Sequence, residues 1–228
     1  MAAQFIASRF TASTAKPLPV ILLLDTSGSM NIVVNPDEVR RTGQTAVVDG
    51  QTVEYVTGGK SRIDVLNEAV RTMLSSFRKE ESLSTEFLVS VVTFGKQGAQ
   101  LAQAPASASS TVYSDLAADG ATPLGRALKI AKDLVENRDT TPSRAYRPLV
   151  VLVSDGEPND SWEGPLADFI RDGRSAKCDR MALGIGTDAI SGRGRKALER
   201  FIEGTDGSLF EAADAGKIHE FFQFVTMS

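Results

Sequence analysis

Short aliphatic and β-branched runs recur along the chain at residues 20–24, 87–92, 149–153 and 181–185. Runs this short, without polar alternation, suit strands buried on both faces of a sheet. Between them the apolar positions change period. Ile63, Leu66, Val70, Met73, Leu74 and Phe77 fall at steps of mostly three or four, as do Leu124, Leu128, Ala131, Leu134 and Val135, and then Leu166, Phe169 and Ile170. That spacing predicts helices with one apolar face. Alternating strands and helices require right-handed crossovers, so the pattern predicts an α/β fold: a doubly wound, mostly parallel central sheet with helices on both faces. One antiparallel edge strand, linked by a hairpin, is expected near 99–103. A last helix from about Ala215 carries Ile218, Phe221, Phe222 and Val225 on one face to close the sheet.

Residues 38–60 interrupt the alternation. Thr45-Ala46-Val47-Val48 and Gln51-Thr52-Val53-Glu54-Tyr55-Val56 flank Asp49-Gly50, a dipeptide that tolerates the positive φ angles of a two-residue hairpin turn. An inserted β-hairpin near 45–56 is therefore expected between the first strand and the first helix. The tract 104–110, rich in Ala and Ser, is expected to be a loop. There is no internal repeat. A length of 228 residues suits one large α/β domain, expected over 17–228 behind an N-terminal extension at 1–16.

Composition narrows the class. Apolar residues make up 42% and charged residues 24%, which excludes disordered, collagenous and coiled-coil chains. The longest wholly aliphatic runs are five residues, against roughly 20 for a membrane-spanning helix. Residues 1–16 contain Arg9 and Lys16 but no apolar core of a secretory signal, so a cytoplasmic protein is expected. A single cysteine, Cys178, excludes an intramolecular disulfide, and with a single histidine, His219, there is no Cys/His set for structural zinc. Any metal must be held by oxygen. The net charge of −4 without a long basic run lacks the footprint of a nucleic-acid binder, leaving protein as the expected partner.

The chemistry concentrates in three loops. Asp25-Thr26-Ser27-Gly28-Ser29 follows the first strand and places oxygen side chains at every second position; the loop 119–125 offers Thr122; Ser154-Asp155-Gly156-Glu157-Pro158 follows another strand and offers Asp155. Carboxylates with hydroxyls suit a hard divalent cation such as Mg2+. Loops at the carboxyl ends of parallel strands converge on the switch point of a doubly wound sheet.

Asp25-x-Ser27-x-Ser29, Thr122 in Gly-x-Thr-Pro-Leu and Asp155 in Ser-Asp-Gly together resemble the complete metal-ion-dependent adhesion site of von Willebrand factor A (VWA) domains. The resemblance covers nearly the whole chain from Pro19. More narrowly, residues 20–30, 154–162 and 221–225 are similar to bacterial TerY-type proteins of tellurite-resistance gene clusters. The hairpin and the N-terminal extension depart from the shortest members. The resemblance implies an Mg2+ site, with Mn2+ or Ca2+ as alternatives, in which Ser27, Ser29 and Thr122 act through hydroxyls and Asp25 and Asp155 act directly or through water. It implies a non-enzymatic module whose ion accepts a partner's Asp or Glu, assembling a stress-response, tellurite-resistance or phage-defence complex with kinase or phosphatase-like products of neighbouring genes.

Glu157, Asp160 and Trp162 flank the third loop as candidates for partner contact, Trp162 alternatively covering the following helix. The alternative function is a Mg2+-dependent hydrolase or phosphatase using the same ion, for which only Glu157 or Asp160 offers a general base. Gly58-Gly59-Lys60-Ser61 resembles the end of a phosphate-binding loop, but Glu54 stands where its first glycine belongs. Gly184-Ile185-Gly186 is read as a turn after a strand rather than as half of a dinucleotide fingerprint.

Overall fold

The computed structural model describes residues 15–34, 39–48, 51–81, 85–186 and 192–227. The strands are β1 (Lys16–Thr26), β2 (Arg40–Val48), β3 (Gln51–Thr57), β4 (Thr85–Gly95), β5 (Gly98–Ser107), β6 (Leu149–Ser154), β7 (Asp179–Ile185) and β8 (Leu209–Ala212). The helices are α1 (Arg62–Glu80), α2 (Leu124–Glu136), α3 (Glu163–Arg171), α4 (Arg193–Ile202) and α5 (Ala215–Met227). Six strands form one sheet in the order β5-β4-β1-β6-β7-β8, all parallel except β5, which runs antiparallel to β4. This is the doubly wound architecture expected from the alternation, with a separate two-stranded hairpin.

The aliphatic runs became central strands because both faces of the sheet are covered. On β1, Val20, Leu22 and Leu24 join a core packed under α1 and α5. Ile21 and Leu23, pointing the other way, join a second core under α2, α3 and α4. β1 is flanked by β4 on one side and β6 on the other. The chain first winds outward to β4 and β5, then crosses back to build β6, β7 and β8. The switch in winding direction therefore lies between β1 and β6, opening a crevice at their carboxyl ends.

β2 and β3 pair antiparallel, with Val48 opposite Gln51 and Thr45 opposite Glu54. The Asp49-Gly50 turn itself lies outside the described residues. The ladder shifts register between Arg41 and Thr45, where Gly43 has φ 76° and the Thr42 hydroxyl donates to the Tyr55 carbonyl at 2.6 Å. The hairpin's stem is tied to the body of the protein: Val34 N–H donates to the Lys60 carbonyl and Arg62 N–H to the Ile32 carbonyl, each at 2.9 Å. Ser61 then caps α1 in a reciprocal pair with Asp64, so Gly58-Gly59-Lys60-Ser61 is a turn leading into a capping box.

One expectation changes. The Ala/Ser tract at 104–110 is strand as far as Ser107, because pairing of Leu88 with Ser107 and Val89 with Ala106 overrides weak local propensity. β1 begins at Lys16, which pairs with Thr85. α4 and β8 were not anticipated at all. α4 buries only Gly194, Ala197, Leu198 and Phe201 in a segment otherwise dominated by charge, and β8 is four residues long.

Candidate metal centre

Asp25 belongs to the carboxyl end of β1, and Ser27 and Ser29 occupy the tight turn that follows it. Asp155 follows the last residue of β6. Thr122 stands two residues before α2. The strand ends thus deliver both carboxylates to the crevice, while the loop before α2 must reach it from one side. Backbone hydrogen bonds bring that loop in: Gly28 N–H donates to the Gly120 carbonyl at 2.9 Å, Asp119 N–H to the Thr26 carbonyl at 2.8 Å, and Asn159 N–H to the Thr122 carbonyl at 3.1 Å. Gly120 is required where it stands. Its φ is 81°, and a Cβ there would lie 2.3 Å from the Lys96 Cα.

The five residues are all buried, Asp25, Ser27 and Asp155 completely so. Ser27 N–H donates to Asp25 Oδ1 at 2.8 Å. The Ser27 and Ser29 hydroxyls are 3.1 Å apart, and Ser29 Oγ donates to Asp155 Oδ1 at 2.8 Å. A Cβ on Gly156 would stand 3.7 Å from Ser29 Oγ and 3.9 Å from Thr122 Oγ1, so both hydroxyls face the space beside a residue that has no side chain to fill it. Burial, and next the neighbouring Asp155 carboxylate, push the Asp25 carboxyl well above the ordinary range, against hydrogen bonds from Ser154 and Ser27.

Two buried carboxylates that repel one another, surrounded by three hydroxyls and a cradle left open by Gly156, fit a small divalent cation. The donor set is all oxygen, as hard cations require. Among the described residues no group of three His, Cys, Asp or Glu side chains forms another candidate.

Two residues of the site were not anticipated. Ser154 Oγ donates to Asp25 Oδ2 at 2.5 Å and so fixes the first carboxylate from the neighbouring strand. Arg62, the first residue of α1, donates from Nη1 to Asp155 Oδ2 at 2.8 Å. Nothing in the local sequence marks Arg62, since 93 residues separate it from its partner. The Ser-Asp-Gly motif did contain Ser154, but its role depends on β1 and β6 being neighbours.

The expected partner-contact residues divide. Trp162 is 1% exposed and belongs to the core under α2 and α3, so of its two expected roles it takes that of covering the following helix, and not that of a surface contact: an indole at the head of α3 is drawn into that apolar layer. Asp160 accepts from the N–H groups of Gly125 at 2.9 Å and Arg126 at 3.1 Å, so its carboxylate satisfies the amino end of α2. Glu157 is exposed and accepts from Arg193 N–H at 3.3 Å, at the start of α4. A cavity of about 560 Å3 lined by Tyr146, Pro148, Cys178 and Asp179 lies at the amino ends of β6 and β7, the far end of the sheet from these loops.

A model of the von Willebrand factor type A domain family matches residues 20–157, more than half of the chain. The fold is similar to a von Willebrand factor type A protein from Catenulispora acidiphila, with a TM-score of 0.60 and 20% identity, covering 93% of this chain and 42% of that one. It is also similar to the PilB minor pilin from Streptococcus sanguinis (TM-score 0.62, 16% identity, 94% of this chain and 61% of that one). Proximal thread matrix protein 1 from the mussel byssus, with a zinc-occupied MIDAS motif, aligns with a TM-score of 0.56 and 17% identity over 93% of this chain and 45% of that one. At these identities the likeness carries the fold alone, and the chain spans less than two thirds of each of these structures. Comparison with curated proteins gives no match. The matched segment, which holds all five oxygen residues, and the sheet order together place the protein: the chain belongs to the von Willebrand factor type A domain family.

Proposed function

We propose that this domain binds a protein partner through a divalent cation held by Asp25, Ser27, Ser29, Thr122 and Asp155, with Mg2+ as the expected ion. The observation that carries the reading is the buried convergence of these five side chains, from three separate loops, at the carboxyl ends of β1 and β6. The family is one in which metal-dependent protein interaction is common, and a structural relative, proximal thread matrix protein 1, has a zinc-occupied MIDAS motif. When bound, the ion would supply a Lewis-acidic position for an Asp or Glu carboxylate of the partner. Ser27, Ser29 and Thr122 contribute neutral oxygens, which leave more of an ion's charge uncompensated than carboxylates would. Ser154 and the Ser27 N–H orient Asp25. Asp160 and the Asn159 N–H hold the Thr122 loop against the Asp155 loop.

The narrower similarity to TerY-type proteins supports a role in a bacterial stress-response or tellurite-resistance complex, with kinase or phosphatase-like partners. The hydrolase alternative gains no support, because its two candidate bases, Glu157 and Asp160, are engaged with the amino ends of α4 and α2. The test is affinity capture from the native host with wild type and Ser27→Ala/Ser29→Ala, each with Mg2+ and with EDTA. A partner retained by wild type in Mg2+ alone supports the proposal, and equal recovery in all four arms refutes it.

A further inference from the structure

Arg62 places a permanent positive charge inside a site that the proposed function assigns to a cation. Its side chain is 12% exposed and its partner Asp155 is fully buried. Asp155 divides its two oxygens: Oδ1 accepts from the Ser29 hydroxyl and Oδ2 from the Arg62 guanidinium, both at 2.8 Å. The guanidinium also lies beside Gly186, which follows β7 with φ 87°: a Cβ there would stand 2.5 Å from Arg62 Nη2. Ser61 and Asp64 cap the helix that begins at Arg62, and Arg62 N–H is bonded to the Ile32 carbonyl. The side chain is therefore anchored at both ends.

A strut for Asp155 would need a hydrogen-bond donor but not a charge. The charge has its own consequence. Asp25 and Asp155 together carry two formal negative charges when ionised, and Arg62 cancels one of them within the same buried cluster. Coulomb interactions strengthen several-fold when the effective dielectric falls from about 80 in water to about 20 near a protein's surface. A divalent cation entering beside Asp155 meets that resident charge at short range, with twice the repulsion that a monovalent ion would feel.

We propose that Arg62 is a built-in counter-ion of the metal site, which lowers its affinity for divalent cations, so that the ion is exchangeable rather than permanently held. This rests on the proposal that the five oxygen residues bind a divalent cation. It also places cation affinity at the base of the inserted hairpin, because Arg62 directly follows the hairpin's stem.

The test is calorimetric titration of the full chain with Mg2+ and with Mn2+, in wild type, Arg62→Met, Arg62→Gln and Arg62→Lys, with the buried emission of Trp162, the chain's one tryptophan, confirming that each variant is folded. Arg62→Gln keeps a donor for Asp155 and loses the charge, so it separates the two roles even if Arg62→Met fails to fold. The expected result is Mg2+ binding about tenfold tighter or more in both neutral variants, with Arg62→Lys returning affinity toward wild type. Unchanged or weaker binding in Arg62→Gln, with wild type still binding, overturns the counter-ion role and leaves Arg62 a strut. Binding in the neutral variants but not in wild type supports it in extreme form. Absence of binding in every folded variant overturns the metal site itself, and the counter-ion with it.

Discussion

Asp25 is held between opposing demands: burial and Asp155 favour its neutral form, while Ser154 and the Ser27 N–H favour its charge. Burial wins, so the folded protein retains a proton there that the unfolded chain has released. With respect to this group, stability is greatest below the ordinary aspartate value of about 4 and declines as pH rises toward the raised folded value. Mg2+ must displace that proton, so affinity is expected to rise between about pH 6 and about pH 8, with proton release visible as a dependence of binding heat on buffer. Asp25→Asn should abolish that release; a flat pH profile in wild type would contradict the assignment. Cys178 gives a second prediction. Burial pushes its thiol up to about 12, so iodoacetamide should leave the native protein unlabelled at neutral pH and label it fully once unfolded. The five oxygen residues were legible because their spacing within each loop is local. Ser154 and Arg62 were not, because their partners lie 129 and 93 residues away.

Elements were legible in proportion to their apolar contrast. α1 and α2 each display a continuous buried face, Ile63 through Phe77 and Leu124 through Val135. α4 does not, because its arginines, lysine and glutamate outnumber the few residues it buries, and tertiary packing decides it. The junction between elements carries the next prediction. Asp160 satisfies two N–H groups of α2 while Asn159 holds the Thr122 carbonyl. Asp160→Ala should lower stability by about 1–2 kcal/mol, seen as a lower urea midpoint with unchanged slope. Its effect on Mg2+ affinity should exceed that of a stability-matched core change such as Leu134→Val, since it also frees the loop that bears Thr122. Arg180 makes a contrasting case: 2% exposed, it donates to the Phe201 and Glu203 carbonyls at 2.7 Å each and closes the end of α4. Arg180→Met is expected to cost about 3 kcal/mol or more by denaturation, without altering cation binding at the opposite end of the sheet.

Across the whole molecule, the hairpin stands apart. None of its described residues belongs to either core, and Val47 and Tyr55 are 71% and 57% exposed. Replacing residues 40–57 with a short Gly/Ser linker, while keeping the Val34–Lys60 stem, should leave the melting temperature within a few degrees of wild type and Mg2+ binding intact. Loss of partner capture in that variant would assign recognition to the hairpin; unaltered capture would assign it to the metal face alone. Among the described residues no helix is long and apolar enough to cross a membrane. By itself, the sequence determined the alternation of strands and helices, the presence of the hairpin and the oxygen-rich loops, because hydrophobic period and turn chemistry act over a few residues. The sheet order, the burial that raises Asp25, the choice between the two roles open to Trp162 and the delivery of Arg62 to Asp155 were decided only by tertiary structure. Each depends on which distant strands become neighbours, and that is settled by the packing of two cores at once rather than by any local pattern.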